Sequence, residues 1–347
     1  MKIKIGKKVI GERKPCFIIA EAGVNHNGDI KLAKKLIDVA KKTGADAVKF
    51  QTFKAENVVT ETAKMAEYQR KNIGSKKSQL AIIKELELDY ENFIKLKKYC
   101  DRKKIIFLST PHSEDAIDFL EPLVPAYKIG SGDLTNLPFL EKIAKKKKPI
   151  ILSTGMANLL EVKEAVKTIS KEGNNKIILL HCTTNYPCPL AEVNLRAMLT
   201  LKKEFNLPVG YSDHTLGILV PIMAVAMEAK VIEKHFTLNK NLPGPDHKAS
   251  LEPRELEEMV KLVREAEKVL GRGIKKPTKS EEKIKKVVRK SIVAKTDIRK
   301  GSKITKDMLV IKRPGTGIEP RYLGRVVGKI ARKDIKKDTL IKFSDLK

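Results

Sequence analysis

The chain has 347 residues, 41% of them hydrophobic, which is enough for more than one domain and a sizeable core, and which excludes a largely disordered protein. Its formal net charge is +29, with 24 Lys and Arg against 8 Asp and Glu in residues 275–347 alone. The lysines nevertheless sit in periodic segments beside acidic neighbours, as in KEAVKTISKEG, and tryptophan is absent; this argues against a nucleic-acid surface, which recruits aromatics between its cations, and suits a thermophile surface or an anionic substrate.

The charged opening MKIKIGKKVIGERKP is not followed by an apolar h-region. No later apolar run reaches the roughly 20 residues that span a bilayer. A soluble, cytoplasmic protein without a membrane partner is expected. From Phe17 to about Gly271 one unit recurs: a short β-branched apolar run, a polar or Gly-containing loop, and a stretch with helical periodicity. The runs are FIIA (17–20), AVKF (47–50), IIFLS (105–109), AYKI (126–129), IILS (150–153), IILLH (177–181), PVGYS (208–212) and VIEKH (231–235). Eight such units predict a (β/α)8 TIM barrel over residues 1–271, with insertions at 54–88 and 236–252. Residues 272–286, polar and charged with one proline, read as a linker. From 287 to 347, short apolar pairs alternate with turn signals, which predicts a small β-rich domain with a thin core. Four scattered cysteines (Cys16, Cys100, Cys182 and Cys188) fit reduced thiols rather than a disulfide framework.

In such a barrel the carboxyl ends of the strands converge on one mouth. Here they carry Glu21, Lys49 and Gln51, Ser109 and Thr110, Lys128 and Ser131, Ser153 and Thr154, His181, then Ser212, Asp213 and His214, and Glu233 and His235. An unpartnered ammonium on an inner strand is costly to bury, so Lys49 and Lys128 are expected to meet an anion. With the serine and threonine hydroxyls they make a candidate cradle for phosphate and carboxylate; a structural set of ion pairs is the plainer alternative. His214 and His235 follow neighbouring strands, so their rings can approach each other. Either they are satisfied core residues, or they are two imidazole ligands of an octahedral site completed by water, for which manganese or another divalent ion is suited. Glu21 in EAGVNHNGD, Asp246 in GPDHKAS, and Asn185 and Tyr186 in HCTTNYP are either loop residues or groups that face a polyol.

The strings AEAGVNHNGD, VKFQTF, STPHSE, YKIGSGDL, STGMA, HCTTNYP, GYSDHT, EKHFTL, GPDHKAS and RPGTGI together resemble the sialic acid synthase family over nearly the whole chain. Its C-terminal part resembles the antifreeze-like (SAF) domain, a small β-clip fold. The resemblance implies condensation of phosphoenolpyruvate with an N-acetylated hexose, C–O cleavage and release of phosphate. By matching position it gives Lys49, Thr110, Lys128, Ser131, Ser153, Asn185 and Ser212 to phosphoenolpyruvate, and His214 and His235 to manganese. Glu21, Gln51, Tyr186 and Asp246 would contact the sugar, with Asn72 matching loosely, and Glu233 would lie beside the metal and its water. Glu21, Lys49, Lys128 and Glu233 form the implied catalytic set. It further implies a domain-swapped homodimer in which Arg313 of RPGTGI reaches across to the N-acetyl group.

N-acetylmannosamine, giving N-acetylneuraminate, is the simplest acceptor. A 2,4-diacetamido hexose leading to legionaminic or pseudaminic acid is the alternative. A synthase acting on a sugar phosphate and a non-catalytic protein binding through its basic surface are the remaining rivals; RPGTGI counts against the first.

Overall fold

The computed structural model describes residues 1–65, 70 and 78–347; Asn72 lies outside them. Two compact units are present, Met1–Gly271 and Arg272–Lys347.

The first unit begins with a hairpin, β1 (Lys2–Ile5) and β2 (Lys8–Gly11), paired antiparallel. Eight parallel strands follow: β3 (Phe17–Gly23), β4 (Ala47–Thr52), β5 (Ile106–Pro111), β6 (Tyr127–Ile129), β7 (Ile150–Ser153), β8 (Ile177–His181), β9 (Val209–Asp213) and β10 (Val231–His235). Their order is β5-β4-β3-β10-β9-β8-β7-β6, so the last strand pairs with the first and the sheet curls into a nearly closed barrel. Each expected apolar run is one of these strands. Helices intervene, among them Ile30–Lys42, Tyr90–Lys103, Leu159–Lys171 and Pro253–Leu270. Their starts are chemically marked. Asp29 and Asp89 accept N-terminal amides, Asn158 and Glu161 close a capping box, and Pro253 occupies the first helical turn.

Strand alternation sorts the side chains into two layers. One set, including Ile18, Val48, Phe50, Phe107, Ile129, Leu152, Leu179 and Ile232, packs outward against the helices. The other points into the lumen, and its lower layer consists of Phe17, Ile19, Ala47, Leu108, Ala126, Ile151, Ile178, Leu180 and Val231. Ile3, Ile5 and Ile10 of the hairpin join that layer and close the floor. The hairpin is not among the expected elements, because strands of four residues flanked by lysines give little periodic signal.

The second unit has a capped helix, Lys279–Val288, within much of the stretch expected to be a linker. It continues with β11 (Ser291–Ala294) and β12 (Leu309–Lys312), paired antiparallel. Isolated bridges such as Val293–Leu340 and Ile298–Ile335 complete it around a core that includes Ile292, Ile304, Val326, Ile335 and Ile341. All four cysteines are buried and free. No helix among the described residues is long and apolar enough to cross a membrane.

Because Ile5 is fully buried in the floor, Ile5→Ala is expected to destabilise the barrel by about 2–4 kcal/mol. The measurement is a lower urea midpoint with an unchanged m-value.

Candidate active site

The lumen residues two places beyond the apolar layer form the mouth. Glu21 follows Ile19, Lys49 follows Ala47, Thr110 follows Leu108, Lys128 follows Ala126, Ser153 follows Ile151, Cys182 follows Leu180, and Glu233 follows Val231. One cavity is lined by Glu21, Lys49, Gln51, Thr110, His112, Lys128, Ser131, Ser153, Cys182, Thr184, Tyr186, Ser212, His214, Glu233 and His235. Twelve residues expected at the mouth are therefore brought together. Asn185 and Asp246 are not in this lining, Arg313 belongs to the second unit, and Asn72 lies outside the described residues. Ser109 turns outward to pair with Thr52 at 2.7 Å, and His181 bonds the Val193 carbonyl at 2.9 Å rather than entering the lumen. Thr184 was not foreseen. Its neighbour Asn185, expected from its place after the strand and from the resemblance, is absent from the lining.

The charges balance in a buried setting. Lys49 Nζ lies 2.8 Å from Glu21 and 3.7 Å from Glu233, and Lys128 Nζ lies 3.4 Å from Glu233. Thr110 accepts from Lys49 at 3.0 Å, and Ser212 donates to Glu233 at 3.0 Å. Burial would drive the proton off Lys49, but Glu21 and Glu233 reverse this and hold its pKa above the usual range. For Lys128 burial prevails over Glu233, so its pKa falls. The carboxylates split the other way. Burial raises Glu21 despite Lys49, whereas Lys128 and Lys49 overcome burial at Glu233 and hold it low. Two carboxylates whose proton affinities are driven apart suit one group that exchanges a proton and one that stays ionised.

The imidazoles stand across the mouth, with ring centroids of His214 and His235 5.7 Å apart and Tyr186 4.0 Å from His214. Burial lowers His214 to about 4 and His235 well below its ordinary value, so both are neutral at pH 7. With the Thr183 carbonyl 2.7 Å from His214 Nδ1, that nitrogen acts as the donor and Nε2 keeps its lone pair. His235 Nδ1 is buried without a hydrogen-bond partner, as are Ser153 Oγ and Thr184 Oγ1. Two neutral imidazoles, one with a fixed tautomer, fit a divalent ion. No group of three or more His, Cys, Asp or Glu is placed to hold one among the described residues. A divalent ion held by these two imidazoles would take its remaining ligands from water or substrate.

Close approach of the loops requires Gly155. A Cβ there would meet Thr184 Oγ1 at 2.3 Å and Ser131 Oγ at 2.8 Å, while its N–H donates to Ser131 Oγ at 3.0 Å.

The carboxyl end of the barrel thus gathers unpaired hydroxyls and buried ammonium groups in one cavity, a donor set able to receive an anion. The chain belongs to the NeuB family, which matches residues 36–275, and it carries a SAF domain over 289–347. It is an enzyme of the sialic acid synthase type. It is 52% identical to the N,N'-diacetyllegionaminic acid synthase of Legionella pneumophila, over 93% of this chain and 92% of that one. It is 53% identical to the protein of the same name from Campylobacter jejuni, over 95% and 99%. Among solved structures it is similar to the N-acetylneuraminic acid synthetase of Leptospira borgpetersenii in complex with citrate. That similarity has a TM-score of 0.72 and 36% identity, and covers 82% of this chain and 95% of that one.

Two outcomes follow from this geometry. Gly155→Ala is expected to displace Ser131 and Thr184 and to lower kcat/KM at least tenfold while the far-UV spectrum stays unchanged. His26 is buried and its pKa is lowered to about 4 by desolvation, so the unfolded chain binds its proton first as pH falls. Stability is fully present above about pH 6.5 and is lost between there and about pH 4, by roughly 3 kcal/mol for this group at 1.36 kcal/mol per unit. Urea midpoints at pH 7.5 and 4.5 should therefore differ less in His26→Asn than in the parent.

Proposed function

We propose that the chain condenses phosphoenolpyruvate with a 2,4-diacetamido hexose in its open aldehyde form, releasing phosphate and forming a nine-carbon 2-keto acid of the N,N'-diacetyllegionaminic class. The observation that carries the first half is the pair of buried ammonium groups, Lys49 and Lys128, beside the unpartnered hydroxyls of Ser153 and Thr184. The acceptor is read from the relatives. Both proteins at 52 and 53% identity bear the legionaminic name, whereas the N-acetylneuraminic acid synthetase stands at 36%. N-acetylmannosamine, the simplest acceptor on sequence grounds, has less support.

Lys49, Lys128, Thr110, Ser131, Ser153 and Ser212 would hold the phosphate and carboxylate, with Thr184 at the same wall and Asn185 as the loop residue implied by resemblance. Glu21, Gln51 and Tyr186 would meet the sugar, joined by Asp246, whose pKa burial raises to about 6, and by Asn72. Arg313, exposed in its own unit, would serve the mouth of a second copy in a domain-swapped homodimer. His214 and His235 would hold a divalent ion, manganese by preference; when bound, it supplies Lewis acidity to the aldehyde and fixes a water.

The cleft then brings the enol carbon against the aldehyde carbon, which replaces a bimolecular encounter by a positioned one. As the new C–C bond forms, C2 becomes oxocarbenium-like, and the ionised Glu233 would offset the positive charge that develops there. Glu21, the carboxyl able to exchange a proton near neutral pH, would give its proton to the aldehyde oxygen as that becomes a hydroxyl and take one back from the water that adds at C2. The C2 hydroxyl then gives up its proton as cleavage of the C2–O bond expels phosphate toward Lys49 and Lys128 and leaves the keto group.

Phosphate release should be measured with phosphoenolpyruvate, manganese and a panel of sugars. Release fastest with 2,4-diacetamido hexoses is expected, with loss of at least a hundredfold in His235→Ala. Release only with phosphorylated sugars, or with none of the panel, would sink the proposal.

A further inference from the structure

Behind the imidazoles, on the outer face of the same two strands, lies an ion pair that the proposed chemistry leaves unused. Lys234 of β10 and Asp213 of β9 are both fully buried, with Nζ 2.5 Å from Oδ2. The same ammonium also donates to the Thr215 carbonyl. Asp213 in turn accepts the Thr215 N–H at 3.0 Å and its hydroxyl at 3.1 Å. The residues on either side of His214 are thus tied to the residue that stands between Glu233 and His235.

The ladder repeats this on its inner face. Ser212 sits opposite Glu233 and Asp213 opposite Lys234, so each face of the β9–β10 junction carries one polar cross-strand link. Packing does not account for the outer link. Its neighbours on that face of β10, Ile232 and Phe236, are apolar core residues. An apolar pair of similar volume would also hold the layer together, because desolvation offsets most of what a buried ion pair gains. What the ionic pair adds is directional: one ammonium holds both the Asp213 carboxylate and the Thr215 backbone carbonyl, while that carboxylate holds the Thr215 N–H, and an apolar contact cannot do that.

We propose that Lys234 and Asp213 are positioning residues, a clamp that holds the ends of β9 and β10 so that His214 and His235 stand at the separation a shared divalent ion requires. The clamp touches neither ion nor substrate. It rests on the reading of the two histidines as ligands, and it acts as the outer shell that fixes a metal site's ligand geometry.

The test uses the full chain, manganese binding by electron paramagnetic resonance of the free ion, and thermal unfolding. The paired variant Asp213→Asn/Lys234→Met removes both charges and so leaves no lone buried ion. It is expected to fold and to bind manganese about 10- to 100-fold more weakly. Ile5→Ala, which loosens the barrel floor, is expected to bind manganese as the parent does despite its lower stability. Parent-like affinity in the folded double variant would overturn the clamp, as would failure of that variant to fold, which would make the pair a folding element. Absence of manganese binding by the parent would overturn the ligand reading as well, whereas parent binding that is lost in His235→Ala but untouched in the double variant would overturn the clamp alone.

Discussion

The mouth depends on charge neutrality under burial. Lys49, Lys128, Glu21 and Glu233 are each at most 5% exposed, and a charge on any one of them is costly there without an opposite charge beside it. The barrel brings them together by alternation: an apolar lumen residue on a strand is followed two places later by a charged or hydroxyl one. The fold thereby provides a dry floor and a polar rim from the same strands. Closing the floor with Ile3, Ile5 and Ile10 keeps water from the lower end, and this raises the strength of every electrostatic contact above it.

The same logic governs the protonation pattern. Glu233 faces both lysines and is held ionised, while Glu21 faces chiefly Lys49 and yields to desolvation. The two carboxyls differ by position in the ring of strands, not by chemistry. The imidazoles are neutral for a related reason, since they are buried among cations as well as anions, and His235 lies near Lys49, Lys234 and His214. Neutral imidazoles and one firmly ionised carboxylate, Glu233, thus coexist at one pH within one cavity.

Much of this was legible in the chain. The eight strands were read from apolar runs because parallel strands covered on both faces carry dense β-branched residues. Lys49, Lys128, Glu233 and His235 were identifiable because each sits within such a run. What escaped followed from side-chain parity and loop geometry, neither of which a run reveals. Ser109 and Thr110 are adjacent hydroxyls, and only strand register sends one outward to Thr52 and the other to Lys49. Thr184 and Asn185 differ by one position in a turn. The helix Lys279–Val288 was hidden in a stretch whose charge suggested a linker, although its capping box, Thr278 with Glu281, was written in the sequence.

On the proposed reaction, this ionic arrangement also shapes how substrate enters. In the free mouth the lysines already have partners, so an incoming phosphate and carboxylate must compete with Glu21 and Glu233 for them. Glu21 is the easier partner to displace, because burial already favours its neutral form and uptake of a proton frees Lys49. Glu233, tied to Ser212 and to both lysines, stays ionised. Anion binding is thereby linked to proton uptake at one carboxyl, and the group protonated on entry is the one placed to return that proton near the sugar. A mouth of simple unpaired cations would bind the anion more tightly but would carry no such proton.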